Sequence, residues 1–451
     1  MVEAGSVDGV RTPSRRDAWR AGVVAAIATS LEWYDFFIYA TAAAVVFNVT
    51  FFATDDPVIA TFNSFATLAV GSVARPIGGI IAGHFGDRLG RKPVLVAGSI
   101  LMGTATTLVG FVPSTQIAWL APLILVLLRL CQGLAVGAQW GGAVLMATEF
   151  APKNRRGLYG SFAQLGIPIG LIMGNAVFMI ASGMLDTETF LAWGWRIPFW
   201  LSAFMLILAF VIHRYMEDTP EFKKVEAEIE SRPRVKSPVI QVIRQHPMLV
   251  CAAAGTYLVG IVVFYMTVTT ALQFATSVSG IARSTTLLVV LVGTALCIPL
   301  TPFCAYLSDL YGRKLIYGIG IVVMSVWAVP AWILMAHASP NMLWPMVVAI
   351  IGSCVSMCFQ QGTQAALFSE LFPPEIRFSG ATIGYSLASL IGGFSPMLAV
   401  IIIDGQAGNA WRIGAFILAL GVLALGCMAV IAKRGHVASP VVDGTRLVAS
   451  A

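Results

Sequence analysis

The chain has 451 residues, of which 58% are hydrophobic and only 11% charged. Soluble domains carry about 25% charged residues, so this composition excludes an ordinary water-soluble globule. The net charge of +6 comes from 28 Lys and Arg against 22 Asp and Glu. Its distribution points to membrane topology and attraction to anionic lipid, not to nucleic-acid binding.

Apolar runs of about 20 residues or more, enough to cross a hydrocarbon core of about 30 Å, recur from end to end. They lack the alternation of barrel strands, which leaves the helix as the element that satisfies every backbone group in lipid. The expected fold is an all-α membrane protein with twelve transmembrane helices in two pseudo-symmetric six-helix bundles. A polar arm, 1–19, precedes a first bundle, 20–215, with spans at 20–48, 58–84, 92–112, 118–148, 158–183 and 195–215. The first span is too long for a signal-peptide core and carries charges in its middle, so it is expected to remain as a span. A connector follows at 216–247; residues 214–247 hold 13 of the chain's 50 charges and are expected to include a short amphipathic helix. The second bundle, 248–433, has spans at 248–276, 284–308, 313–335, 341–369, 378–403 and 410–433, and a polar tail occupies 434–451.

Of the 28 basic residues, 23 lie in segments on the side of the N terminus, whereas the five opposite loops hold only Arg196, Arg283 and Arg412. The positive-inside rule therefore places both termini in the cytoplasm of a cell membrane. The seven cysteines fall inside spans with no CxxC pair. They read as small apolar packing residues, so neither a metal site nor a disulfide framework is expected.

The two halves are related. Gly83-His84-Phe85-Gly86-Asp87-Arg88-Leu89-Gly90-Arg91-Lys92 joins spans two and three, and Ala305-Tyr306-Leu307-Ser308-Asp309-Leu310-Tyr311-Gly312-Arg313-Lys314 joins spans eight and nine. Asp87 to Asp309, Gly90 to Gly312 and Lys92 to Lys314 are each 222 residues apart. Such a repeat points to duplicated bundles around a shared central site. Glycine permits the tight turn, and the aspartate is placed to meet a neighbouring arginine or the positive N-terminus of a helix.

This Asp-Arg-x-Gly-Arg-Lys loop resembles the signature of the major facilitator superfamily. Further runs narrow the resemblance to its metabolite:proton symporter branch: Leu31-Glu32-Trp33-Tyr34-Asp35-Phe36, Arg75-Pro76-Ile77-Gly78-Gly79, Arg129-Leu130-Cys131-Gln132-Gly133 and Gln139-Trp140-Gly141-Gly142. Ala151-Pro152-Lys153-Asn154-Arg155-Arg156-Gly157, Gly194-Trp195-Arg196-Ile197-Pro198-Phe199 and Glu370-Leu371-Phe372-Pro373 complete the set. The resemblance covers about residues 20–433 and is nearest, around 140–200, to the shikimate carriers. It implies transport of an organic acid or a zwitterion together with protons. Gln139 stands where members of the branch usually have glutamate, which removes one protonatable group. The tail also lacks the long coiled coil of the osmosensing carriers of proline and betaine.

Ionisable groups inside a membrane are costly and default to a functional reading. Among the acids only Glu32 and Asp35 lie near the middle of a span, and with Phe36 and Tyr39 they follow helical spacing on one face. Two carboxylates one turn apart in a low-dielectric cavity repel when both are ionised, which makes the pair a candidate proton carrier. Pairing with Arg129 is the structural alternative. Arg129 is expected either to bind a substrate carboxylate or to hold the neighbouring acids. Tyr39, Arg129, Gln132, Gln139 and Gln164 of the first half, with Tyr265, Gln361, Gln364 and Tyr385 of the second, are the candidate substrate-binding residues. Tyr257, Gln273, Gln360 and Ser389 extend that uncharged set. Arg75 is expected to reach the interface or the loop network, and Glu149 to pair with loop-motif arginines. The gating elements are then Gly83, Asp87, Arg88, Gly90, Arg91, Lys92 and Glu149, with Asp309, Gly312, Arg313 and Lys314.

The expected function is secondary active import of a small polar metabolite by proton symport through alternating access. No enzyme chemistry and no cofactor beyond protons is expected. A metabolite, protons and membrane lipid are the partners, and the single chain is the functional unit. Efflux by antiport and a transport-dead sensor acting through 214–247 are the alternatives.

Overall fold

Runs rich in leucine, alanine, valine and glycine, nearly free of charge, have no competitor to helix in an apolar surrounding. The computed structural model describes residues 15–47, 50–52, 57–113, 119–204, 206–207, 210, 238–373, 376–403 and 406–434, and among these there is no β-strand. The first half consists of α1 (Arg15–Ala42), α2 (Pro57–Leu89), α3 (Arg91–Val109), α4 (Leu120–Glu149), α5 (Gly166–Met184) and α6 (Ile197–Leu201). The second consists of α7 (Pro247–Tyr265), α8 (Arg283–Tyr311), α9 (Arg313–His337), α10 (Trp344–Leu371), α11 (Arg377–Gly393) and α12 (Trp411–Arg434).

Ten described helices are long and apolar enough to cross a membrane. The other two expected spans fall on α2 and α6, where side chains or further residues lie partly outside the described ones. Residues 1–14 of the arm, 211–237 of the connector and 435–451 of the tail also lie outside them. The described part of the connector holds a helix at Pro238–Gln245.

The duplication is visible in the backbone. Gly90 and Gly312, with φ of 103° and 100°, each end one helix and start the next. That left-handed region strains any residue with a Cβ. Helices α1 and α7 each continue into one π-helical turn, Ala43–Phe47 and Met266–Thr270, offset by 223 residues. Wide turns of this kind are frequent at functional sites.

Glycines set the closest crossings. A Cβ on Gly133 would lie 2.2 Å from the Gly71 carbonyl oxygen, and one on Gly137 would lie 2.1 Å from that of Arg75. The α2 and α4 backbones therefore touch, as small residues allow in membrane bundles. Between the halves run two matching seams. Helix α2 packs on α11, with Gly83 against Ser379 and Gly86 against Phe378, while the entry to α5 packs on α8, with Gly157 against Ala305.

Candidate functional site

Four ionisable side chains lie buried at mid-span between and beside the halves: Glu32 at 2% exposure, Asp35 at 0%, and Arg75 and Arg129 at 4% each. Helical spacing puts Glu32 and Asp35 on neighbouring turns of α1 but aims them at different surroundings.

Asp35 is enclosed by its own half. Thr106 Oγ1 of α3 donates to Asp35 Oδ2 at 2.9 Å, and Ser202 Oγ, just past α6, donates to Oδ1 at 2.5 Å. A relay leads away from this carboxylate. Arg129 Nη1 donates to Gln132 Oε1 at 2.9 Å, and Gln132 Nε2 donates to Thr106 Oγ1 at 2.7 Å. The Arg129 guanidinium also lies 3.4 Å from the centre of the Tyr39 ring, whose hydroxyl donates to Thr67 at 2.8 Å. The relay of hydrogen bonds links Arg129 to Asp35, and one more donor completes the aspartate's set.

Glu32 faces the second half. Arg75 is the cation near enough to act on its charge, with no direct hydrogen bond between Glu32 Oε2 and Arg75 Nη1. Phe36, beside the Arg75 guanidinium, meets Tyr265 of the opposite bundle. Glu32 Oε2, Arg75 Nη1, Tyr265 Oη and Ser389 Oγ are all buried without a hydrogen-bond partner. Arg75 therefore neither reaches the interface nor joins the loop motif, against the expectation for it. Twelve residues of helix separate it from Asp87, about 18 Å, which exceeds an arginine's reach. That arithmetic was available in the sequence. The guanidinium instead lies 5.6 Å from the Phe36 ring centre, and Arg129 lies 6.0 Å from the same ring.

Aromatic rings close the interface beside these charges. Trp33 meets Phe264 at 5.2 Å and Phe36 meets Tyr265 at 6.1 Å, each across the two halves. Trp140, Tyr385 and Tyr257 form a stack, with centroids 3.9 Å and 5.1 Å apart.

The remaining expected substrate-binding residues are spread more widely. Gln164 Nε2 donates to Gln364 Oε1 at 3.3 Å, a bond between the halves. Gln139 Nε2 donates to Ser99 at 3.2 Å, while its Oε1 is buried without a partner. Gln361 lines a small apolar cavity with Leu171, Phe264, Thr267, Thr294 and Cys297. Gln360 donates to the Thr256 carbonyl at 2.8 Å, and Gln273 is exposed, away from the interior. No cluster of metal-ligating side chains is present among the described residues.

The loop motifs form crossed contacts at one face. Asp87 accepts from Phe378 N at 3.2 Å, Ser379 N at 3.0 Å and Ser379 Oγ at 2.6 Å, at the start of α11 in the other half. Asp309 accepts from Gly157 N and Leu158 N at 2.9 Å each, where the chain turns into α5. Each carboxylate thus sits on free backbone donors at a helix start, where the helix dipole favours negative charge. Arg313 pairs with Asp309 and approaches Glu370 at 3.5 Å. Glu149 meets Arg377 at 3.4 Å. One cation on Glu149 is thus the first residue of α11. Sequence reasoning did not assign Arg377; its place seven residues past Glu370, mirroring Arg156 after Glu149, was the available signal. Arg88 lies 3.1 Å from His84, Lys314 donates to the Ala432 carbonyl at 3.3 Å, and the Arg91 side chain lies outside the described residues.

Two repeated helical halves, with charges sealed between them and crossed contacts at one face, define a multi-pass membrane carrier. The chain belongs to the major facilitator superfamily: a sequence model described as Major Facilitator Superfamily matches residues 25–377. It is 36% identical to the shikimate transporter of Escherichia coli strain K12, over 90% of this chain and 93% of that protein. It is 37% identical to the inner membrane metabolite transport protein YhjE of the same strain, over 82% and 84%. The proline/betaine transporter of that strain is 27% identical, over 86% and 78%. Among solved structures, the proton:xylose symporter XylE bound to 6-bromo-6-deoxy-D-glucose superposes with a TM-score of 0.77 at 16% identity, covering 93% of this chain and 96% of that one. The family is one of transporters, not enzymes.

Proposed function

We propose that this protein imports a small polar metabolite, an organic acid or a zwitterion, together with protons, across the cytoplasmic membrane, with both termini inside the cell. The observation that carries the reading is the enclosed carboxylate Asp35, tied by hydroxyl donors and the relay to Arg129. Ionisable groups kept at such depth in a membrane bundle mark ion pathways. Asp35 is the proton carrier in this reading, and Glu32 exchanges with the substrate region between the halves. The relatives that carry shikimate, metabolites, and proline or betaine support the substrate class.

Two buried acids and two buried arginines sum to zero charge when all are ionised. An entering monocarboxylate anion upsets that balance and one proton restores it, so for such a substrate each raises the site's affinity for the other. The crossed carboxylates then release, the halves rock, and both passengers leave on the other side. No cofactor other than the proton takes part.

The test is uptake into proteoliposomes with an imposed pH gradient. Accumulation of labelled shikimate, 2-oxoglutarate or proline on the alkaline side, lost with a protonophore, supports the reading. Movement in the opposite sense, or uptake indifferent to the gradient, overturns it.

A further inference from the structure

A buried guanidinium without full compensation is among the most costly arrangements in a protein. Arg129 is engaged at Nη1 by Gln132 and lies on the face of Tyr39, although its Nε and Nη2 are buried without a hydrogen-bond partner. Among the described residues Arg75 has no hydrogen-bonding neighbour of the Gln132 kind, and it stands beside the other half. It is 4% exposed, its Nη1 has no hydrogen-bond partner, and its Glu32 neighbour has an equally unpartnered Oε2. Phe36 links it to Tyr265 of the second half, and the α11 stretch that holds Ser389 packs on the α2 stretch that holds Arg75; Tyr265 Oη and Ser389 Oγ are also buried and unpartnered. Arg75 also sits on a rigid mount, because a Cβ on Gly137 would meet its carbonyl oxygen at 2.1 Å. An arginine held by a fixed backbone, with free donors and hydroxyls opposite, is a fork awaiting a planar anion.

We propose that Arg75 recognises the carboxylate of the transported metabolite, and that Glu32 is the counter-charge that holds its place when the site is empty. The inference rests on the carrier reading for its direction of use, though not for the binding itself. Organic acids and zwitterions alike carry a carboxylate, so one arginine serves both, and the hydroxyls on the far wall meet the rest of the molecule. Arg129 is left to tune Asp35.

The test is equilibrium binding by thermal shift on purified protein, with shikimate, 2-oxoglutarate and proline each compared with its methyl ester. The wild-type protein is expected to be stabilised by at least one acid and not by its ester. Arg75→Gln is expected to bind that acid at least tenfold more weakly, and Arg75→Lys to keep part of the affinity. Glu32→Gln, which frees the guanidinium, is expected to bind the acid more tightly; a merely structural arginine would not give this gain. Monodisperse Arg75→Gln that still discriminates acid from ester as the wild type does overturns the assignment, as does wild-type protein that does not discriminate. Should Arg75→Gln misfold, Arg75→Lys and Glu32→Gln decide: unchanged affinity in both overturns the proposal. Ester discrimination by a protein that moves nothing in proteoliposomes would sink the carrier reading and leave the Arg75 assignment standing.

Discussion

Trp140 of the first half lies flat on Tyr385 of the second, with ring centroids 3.9 Å apart and planes within 4° of each other. Stacked aromatic pairs contribute about 0.5–1.5 kcal/mol beyond the area they bury. This one bridges the two halves, which separate for substrate to leave in the proposed rocking cycle. Trp140→Leu and Tyr385→Leu should each lower thermal stability, with the double variant less destabilised than the sum by about 1 kcal/mol. A double-mutant cycle on reversible unfolding measures that coupling. Additive effects would show that the stack does not hold the halves together.

The crossed aspartates make a second prediction. A carboxylate on free helix-start donors is worth about 1 kcal/mol. Asp87→Asn and Asp309→Asn should each shift the population toward the form open at this face by about fivefold, and the pair by more. Spin labels at Asn154 and Leu315, on opposite halves, report it as a longer distance distribution.

Asp35→Asn should abolish accumulation against a gradient while leaving exchange of labelled for unlabelled substrate intact, because asparagine mimics the protonated carboxyl that favours substrate but cannot release a proton. Thr106→Val removes one donor to that carboxylate and one link to Arg129. Hydrogen bonds to charged groups are worth about 1.5–3 kcal/mol, so coupled uptake should fall about tenfold or more. Loss of exchange together with accumulation in Asp35→Asn would show that the residue serves binding rather than coupling.

Packing gives the sharpest contrast. Gly137→Ala would push a methyl to 2.1 Å from a backbone oxygen, whereas Gly318→Ala on α9 meets nothing within 4 Å. Overpacking of a tight contact costs about 1–3 kcal/mol, and the first variant should melt several degrees lower. The second should match the wild type by fluorescence-detected size-exclusion after heating.

Spans, their pairing into related halves and the helix class were legible because each follows from local composition and a countable repeat. The aspartate of the loop motif was readable down to two partners, an arginine or a helix start. The structure shows both Asp87 and Asp309 on helix starts, and Asp309 is paired with Arg313 as well; the Arg91 side chain beside Asp87 lies outside the described residues. Partners of side chains inside the bundle were less accessible. Spacing puts Glu32 and Asp35 near one face of α1, but the rotation of that helix in its bundle sends one toward α3 and α6 and the other toward the second half. Ser202 stands 167 residues from the carboxylate it binds, with no local pattern to announce it. The Trp140 stack was hidden in the same way, since aromatic residues in apolar runs look alike until neighbours are known.

The paired wide turns after Ala42 and Tyr265 have a mechanical effect. Inserting one residue into a helix rotates everything beyond it by about 100°, so each wide turn introduces a phase slip after the stretch that precedes it. Such a slip can migrate by trading one hydrogen bond for its neighbour. In the second half the segment Ala271–Ser277 beyond the turn is thereby turned relative to Tyr257 and Tyr265 on the stretch before it.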